Sequence, residues 1–250
     1  MNHEWMDEGA ASFFGDLAES FVLGSDFNRS IRSSYARYIS LANSGQEMPQ
    51  STNANRYNYN MAYEISAYSK GAVFLAQLGY IIGEEKLKKT IKEYFKEFKF
   101  KHPVPNDFRR VAERVSGIQL KWYLTDWTQT TNSIDYAIKS IEEKKQKTII
   151  TLKRIGSMPM PLDVLVRFKD DSSSMYYIPI PLMRGEKENP YLLDWVLLKD
   201  WAWAYPDYQI IIDNSKMVFG SSGFKEVKEV VIDPSFYMAD LNRDNNYLNN

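Results

Sequence analysis

The sequence contains no cysteine and only two histidines, His3 and His102, among its 250 residues. Without cysteine, disulfide frameworks, thiolate zinc sites and cysteine nucleophiles are all excluded. The same absence leaves the redox compartment open, because neither a disulfide nor a conserved thiol indicates one. Cytoplasmic, periplasmic and secreted locations are therefore all compatible with this composition.

The chain also lacks a long apolar run and a large net charge. No apolar stretch approaches the roughly 20 residues needed to span a bilayer. The formal net charge is −1, whereas a dedicated nucleic-acid binder carries a strongly basic surface. We therefore expect no membrane span and no nucleic-acid partner. Hydrophobic residues make up 44% and charged residues 25%, the values of a globular protein with one large domain or two ordinary ones.

Before residue 131, apolar residues recur at helical spacing. Phe13, Leu17 and Phe21 share one face of an amphipathic helix, and residues 63–82 are apolar almost all round, as expected of a buried central helix. Residues 43–60 are rich in Ser, Asn and Gln and carry no such pattern. They predict a long surface loop of the kind that is often functional or mobile.

After residue 131 the period of the apolar pattern drops to two. Alternating runs separated by Gly, Asp, Asn and Ser turns predict an antiparallel β-sandwich. The run containing Pro179 and Pro181 is expected at a sheet edge, because proline cannot donate to the ladder. The predicted fold class is α+β: an all-α helical bundle over residues 1–131, a β-sandwich over residues 132–238, and a frayed polar tail over residues 239–250.

Glu8 lies in the segment EWMDEGAASF at residues 4–13. On a helix it shares a face with Ala11, Ser12 and Gly15, and such small side chains allow another helix to approach closely. A carboxylate is an acceptable third protein ligand of a catalytic zinc. The alternative is an acidic residue that simply favours the positive end of the helix dipole. The local pattern does not decide between them.

Tyr68 begins the segment YSKGA at residues 68–72, at the head of the predicted central helix. A phenol beside a metal can donate a hydrogen bond to the oxyanion of a tetrahedral intermediate. A tyrosine on one stripe with Ala72, Leu75 and Ala76 is equally expected to be a core residue with a satisfied hydroxyl. Local pattern again leaves both interpretations open.

Taken together, the two segments are similar to a known family. Residues 4–13 resemble the Trp-x-Asn/Asp-Glu-Gly segment of gluzincin zinc metallopeptidases of the aminopeptidase N type, and residues 68–72 resemble the catalytic-tyrosine segment of the same family. The order of the two segments, separated by a helix and a variable loop, is also that of the family. The similarity runs through nearly the whole chain, while its specific segments lie in the first half.

This resemblance implies that Glu8 is a zinc ligand and that Tyr68 is the catalytic, oxyanion-stabilising tyrosine. The family's His-Glu-x-x-His helix and its Gly-x-Met-Glu-Asn segment have no counterpart in this chain. The resemblance therefore implies the C-terminal part of a zinc-dependent aminopeptidase that hydrolyses peptide N-termini. Zinc, the peptide substrate and the missing N-terminal part are expected as partners in the full-length parent, whereas the fragment is expected to be inactive and without zinc.

A second interpretation stays open from the residues alone: a non-catalytic helical and β-sandwich scaffold, or a module that binds peptides or a partner protein. The cluster of Trp195, Trp201, Trp203 and Tyr205 fits a binding platform, but it fits the core of a sandwich equally well. A His-Glu-x-x-His segment about twenty residues before Glu8 in the parent would favour the enzyme.

Overall fold

The computed structural model describes residues 3–144, 147–191, 194–213 and 225–250. The chain divides into two compact units, which are described separately. The first unit comprises the described residues up to 133, with 182–188 and 236–241. The second comprises the described residues of 134–181, 189–235 and 242–250.

The first unit is helical. Its helices are α1 (Glu4–Leu23), α2 (Phe27–Ser30), α3 (Arg32–Asn43), α4 (Asn60–Glu64), α5 (Lys70–Ile82), α6 (Glu84–Phe98), α7 (Pro105–Ser116) and α8 (Lys121–Gln129). A π-helical turn, Ile65–Ser69, joins α4 to α5. The predicted helix over residues 63–82 therefore exists, but one turn inside it has the wider π geometry.

Helix α5 is the centre of this unit, as the sequence predicts, since almost every one of its residues is buried. Phe74 stacks on Tyr123 of α8 with ring centroids 4.9 Å apart, and Trp5 of α1 meets Phe74 edge-on at the same distance. The Tyr123 hydroxyl donates to the carbonyl of Phe74 at 2.7 Å, so its polar end is satisfied inside the core. Aromatic packing of this kind joins α1, α5 and α8.

Helices α1 and α5 touch through two glycines. A Cβ built on Gly9 lies only 2.5 Å from the Cα of Gly71, and one built on Gly71 lies 2.7 Å from the Cα of Gly9. Real Cβ atoms do not approach backbone so closely, so the two helices can lie at this distance only because both residues lack a side chain.

The polar segment between α3 and α4 is a loop, as predicted, with one short 3₁₀ turn at Ala54–Arg56. A backbone hydrogen bond connects this loop to α8. The amide of Ser51 donates to the carbonyl of Thr128 at the end of α8, at 2.8 Å. Gln50 next to it is almost fully buried.

The second unit contains two sheets. Its strands are β1 (Tyr136–Lys144), β2 (Lys147–Arg154), β3 (Leu162–Phe168), β4 (Ser173–Ile178), β5 (Asp194–Leu197), β6 (Asp207–Asp213), β7 (Val227–Ile232) and β8 (Tyr247–Asn249). Strands β1, β2 and β6 form one antiparallel sheet, and the order of the other is β5-β4-β3-β7-β8. The predicted fold class, α+β with helices first and β-sheets after them, is confirmed.

Three details differ from the sequence-based expectation. Strand β4 pairs with both β3 and β5, so the prediction of an edge position is wrong. The strand ends at Ile178, so Pro179 and Pro181 lie outside its hydrogen-bonded pairing. Strands β4 and β5 are parallel, an exception in otherwise antiparallel sheets. The residues expected to fray include β8, whose backbone pairs with β7, and Asp240 is fully buried.

None of the described helices combines the length and the apolar character that crossing a bilayer requires.

The glycine contact generates a prediction with an internal control. Gly9→Ala should lower the free energy of unfolding by about 1–2 kcal/mol, because the clash with Gly71 outweighs the gain in helix propensity. Gly15→Ala on the same helix should raise it by up to about 1 kcal/mol, since nothing lies within 4 Å of the added methyl. Urea unfolding measures both. Equal effects of the two substitutions would contradict the close contact.

Candidate active site

Glu8 lies in the second turn of α1, immediately before the glycine that touches α5. Its side chain is half-buried, and its backbone carbonyl accepts a hydrogen bond from the Ser12 hydroxyl at 2.8 Å. On the same face, Ala11 and Gly15 are exposed. The row of small residues noted in the sequence is thus open in this structure.

Tyr68 lies in the π-helical turn between α4 and α5. The four other residues of the turn are buried, whereas Tyr68 is 37% exposed. A π turn holds one residue more than an α turn, and such turns are frequent at functional sites. The alternative interpretation of Tyr68 as a core tyrosine does not fit this exposure.

The structure brings the two predicted residues together. The Glu8 carboxylate raises the pKa of Tyr68 above its ordinary value, chiefly through hydrogen bonding with the phenol. Desolvation and the negative charge of Glu8 act in the same direction. A carboxylate and a phenol therefore interact at this point.

Further acidic and phenolic side chains act on this pair. Sequence patterns did not identify these additional side chains. The pKa of Tyr63 is raised by desolvation first, then by the negative charges of Glu4 and Glu8. Glu64 adds a smaller effect in the same direction on Tyr68. The pKa values of both phenols are thus raised partly by the same carboxylate, Glu8.

A polar cleft of about 460 Å³ opens beside Tyr68. The Arg37 guanidinium and the Glu64 carboxylate, both largely exposed, pair at 2.6 Å on its wall. Asp16, on α1, also lines the cleft; desolvation raises the pKa of its carboxyl, while a hydrogen bond from Ser34 opposes the effect. None of these residues carries a local signal, because each depends on a partner many residues away.

The described residues do not provide a complete set of protein ligands for a catalytic zinc. Across the described residues, no group of three or more His, Cys, Asp or Glu side chains is arranged to hold a metal ion. Both histidines, His3 and His102, are exposed. A catalytic zinc takes three protein ligands, so Glu8 alone does not make a zinc site and no reaction step through a metal is derived from this chain.

The tryptophan cluster of the second unit belongs mainly to its core. Trp195 stacks on Tyr177 with centroids 5.2 Å apart. Trp201 is buried and its indole N–H donates to the carbonyl of Tyr205 at 2.8 Å. Trp203 and Tyr205 remain exposed, and Tyr205 lines an open cleft of about 730 Å³.

Comparison with known proteins identifies the family. Residues 2–127, just over half of the chain, match the Peptidase family M1 domain. The chain therefore belongs to peptidase family M1, in agreement with the resemblance of residues 4–13 and 68–72.

Individual relatives are much longer than this chain. Glutamyl aminopeptidase from Sus scrofa is 35% identical over 88 residues, which is 35% of this chain and 9% of that protein. Aminopeptidase M1-D from Oryza sativa subsp. japonica is 25% identical over 183 residues, 72% of this chain and 19% of that protein. The solved structure of Legionella pneumophila aminopeptidase A in complex with aspartic acid shares the fold, with a TM-score of 0.57 and 12% sequence identity. The match covers 95% of this chain and 24% of the chain in that structure.

The contact between Glu8 and Tyr68 predicts a titration. Glu8→Gln should lower the pKa of Tyr68 toward the ordinary value of about 10. The reason is that a neutral amide accepts a hydrogen bond from the phenol less strongly than a charged carboxylate does. Glu64→Gln, which removes the weakest of the charge effects on Tyr68, should lower it less. An NMR titration of tyrosine labelled at Cζ, with Tyr68→Phe for assignment, measures both shifts. No shift in the Glu8 variant would show that the hydrogen bond does not form in solution.

Proposed function

We propose that this chain is the C-terminal part of a zinc-dependent aminopeptidase-like metallopeptidase that hydrolyses peptide N-termini. Membership of peptidase family M1 supports this proposal. The observation that carries it is the meeting of two distant sequence segments: Gly9 touches Gly71, and the neighbouring Glu8 carboxylate raises the pKa of the Tyr68 phenol.

Glu8 is proposed as one protein ligand of zinc in the complete protein. Zinc bound at such a site polarises a carbonyl and activates water. The half-buried carboxylate lies in a region of negative charge, with Glu4 on the same helix, which favours a cation. The remaining ligands are proposed to come from outside this chain, because no group of three or more His, Cys, Asp or Glu side chains in the described residues is arranged to hold a metal ion.

Tyr68 is proposed as the donor that stabilises the oxyanion. Its raised pKa keeps the phenol protonated at neutral pH, so the hydroxyl remains a hydrogen-bond donor. Its partial exposure gives a substrate access to that hydroxyl, and the neighbouring cleft offers space for a peptide. A donor placed where negative charge develops typically contributes a factor of about 10²–10³ to the rate.

The missing N-terminal part of the same protein is the proposed partner. The open row of Ala11, Ser12 and Gly15 beside Glu8 permits the close approach of a further helix, and no atom lies within 4 Å of a Cβ placed on Gly15. An apolar groove of about 440 Å³, lined by Met6 and Phe14 among others, lies on another face of α1. The relatives, of which this chain spans 9% and 19%, are long enough to supply such a covering segment.

The alternative function is a non-catalytic scaffold or binding module. The open cleft beside Tyr205 in the second unit is the observation that favours it. The source gene upstream of Met1 separates the two functions: the enzyme requires a His-Glu-x-x-His segment about twenty residues before Glu8. A gene without that segment would support the scaffold.

We expect this chain by itself to show no zinc-dependent hydrolysis of an aminoacyl reporter, because one carboxylate cannot hold a catalytic zinc. The measurement is reporter release with zinc added and with a chelator. Hydrolysis that requires zinc and disappears in Glu8→Gln would overturn this expectation.

In the complete protein, Tyr68→Phe should lower kcat by a factor of about 10²–10³, because the oxyanion loses a donor while the ring and its packing remain. Tyr63→Phe is the matched control, since the charge of Glu8 raises the pKa of Tyr63 as well, whereas hydrogen bonding with Glu8 contributes to the pKa of Tyr68 alone of the two. Steady-state hydrolysis of an aminoacyl reporter measures both. Equal losses in the two variants would contradict the role given to Tyr68.

A further inference from the structure

Two residues beyond Tyr68, the first residue of α5 is a buried lysine. The Lys70 side chain is 1% exposed, and its ammonium contacts a carboxylate oxygen of Glu47 at 2.8 Å, with Glu47 itself 5% exposed. The rings of Tyr38 and Trp127 flank the ammonium, with centroids 5.7 and 5.5 Å away. Nothing in the proposed reaction uses this ion pair.

Stability alone does not explain the pair. Removing two charges from water costs about as much as their attraction returns, so apolar residues of similar size often serve a core equally well. Burial lowers the pKa of Lys70, and the charge of Glu47 opposes that effect. A buried ion pair favours one defined geometry, because a buried charge separated from its partner would be strongly unfavourable.

A second contact reaches the π-helical turn from the same loop. Gln50, 3% exposed, donates from its side-chain amide to the carbonyl of Ser66 at 2.8 Å. Ser66 is the second residue of the turn and lies two positions before Tyr68. The amide therefore gives a backbone carbonyl of the turn a partner from outside the helix.

The loop segment that carries both side chains is itself fixed to α8. Ser51 donates its amide to the carbonyl of Thr128 at 2.8 Å, and the indole N–H of Trp127 donates to the carbonyl of Lys70 at 3.3 Å. Contacts from one support thus hold the chain at Ser66, before Tyr68, and at Lys70, after it.

We propose that Glu47, Gln50 and Lys70 form a clamp that positions the Tyr68 phenol against Glu8. Glu47 and Gln50 act through the backbone on either side of Tyr68 and do not touch the reacting atoms, so they are positioning residues. The proposal rests on the proposed function for the role of Tyr68, but the geometry that it describes exists in this chain without any substrate. It also assigns a task to the long polar loop, which would otherwise only connect α3 to α4.

The first test separates positioning from packing in this chain. Glu47→Met combined with Lys70→Met replaces both charges by apolar side chains and should retain most of the stability in urea unfolding. Gln50→Met, a second variant, removes only the bond to Ser66. The matched control is Glu84→Met combined with Lys88→Met, an exposed ion pair on α6.

The readout is the NMR resonance of the Cζ-labelled Tyr68 ring at pH 7, with Glu8→Gln as the reference for a lost hydrogen bond. Both clamp variants should move this resonance in the direction of the Glu8→Gln protein, and the α6 control should leave it unchanged. A folded clamp variant whose Tyr68 resonance does not move would overturn the proposal, because the three residues would then contribute to packing only.

The second test uses the complete protein. Gln50→Met should lower kcat by a factor of about 10 while KM stays unchanged, since a displaced donor weakens binding of the transition state rather than of the substrate. Unchanged kcat, or a rise in KM without a fall in kcat, would contradict positioning. If the unsubstituted complete protein hydrolyses no peptide, the proposed function fails, and the NMR result still decides whether the clamp exists.

Discussion

The site depends on one close contact between two helix backbones. Gly9 of α1 and Gly71 of α5 touch without side chains between them, and a methyl group on either would collide with the other backbone. Glu8 precedes the first glycine, and Tyr68 lies three residues before the second. The segments that hold Glu8 and Tyr68 are therefore the two sides of a single contact, and the glycines set how closely the two helices approach.

Around this contact the apolar and polar groups have different tasks. Phe74, Trp5 and Tyr123 supply buried aromatic surface, which is the main source of stability. The pair of Lys70 and Glu47 adds little net energy but allows few alternative arrangements. Exposed ion pairs such as Lys88 with Glu84 contribute little to stability and restrict the geometry less, because water screens their charges. Beside the π-helical turn, by contrast, the polar residues Gln50 and Lys70 are buried.

Sequence patterns predicted the parts of the fold that side-chain spacing encodes. Periodicity located the buried helix α5 and the change to β-structure, and resemblance brought Glu8 and Tyr68 to attention as a pair. The π-helical turn was not predictable, because its identity lies in backbone hydrogen bonding rather than in apolar spacing. The pairing of β8 and the contacts of Glu47 and Arg37 were missed for a related reason: each needs a partner distant in sequence.

The interaction of Tyr68 with Glu8 also limits how the proposed reaction can proceed. A phenol proton is given to one acceptor at a time, so a donor held by a carboxylate is not free for an oxyanion. Whatever neutralises Glu8 weakens that competing acceptor and lowers the cost of turning the hydroxyl toward a substrate. Neutralisation of the carboxylate and availability of the phenol are thus linked through one bond. Through this linkage, the carboxylate proposed as a zinc ligand and the phenol proposed as an oxyanion donor influence each other.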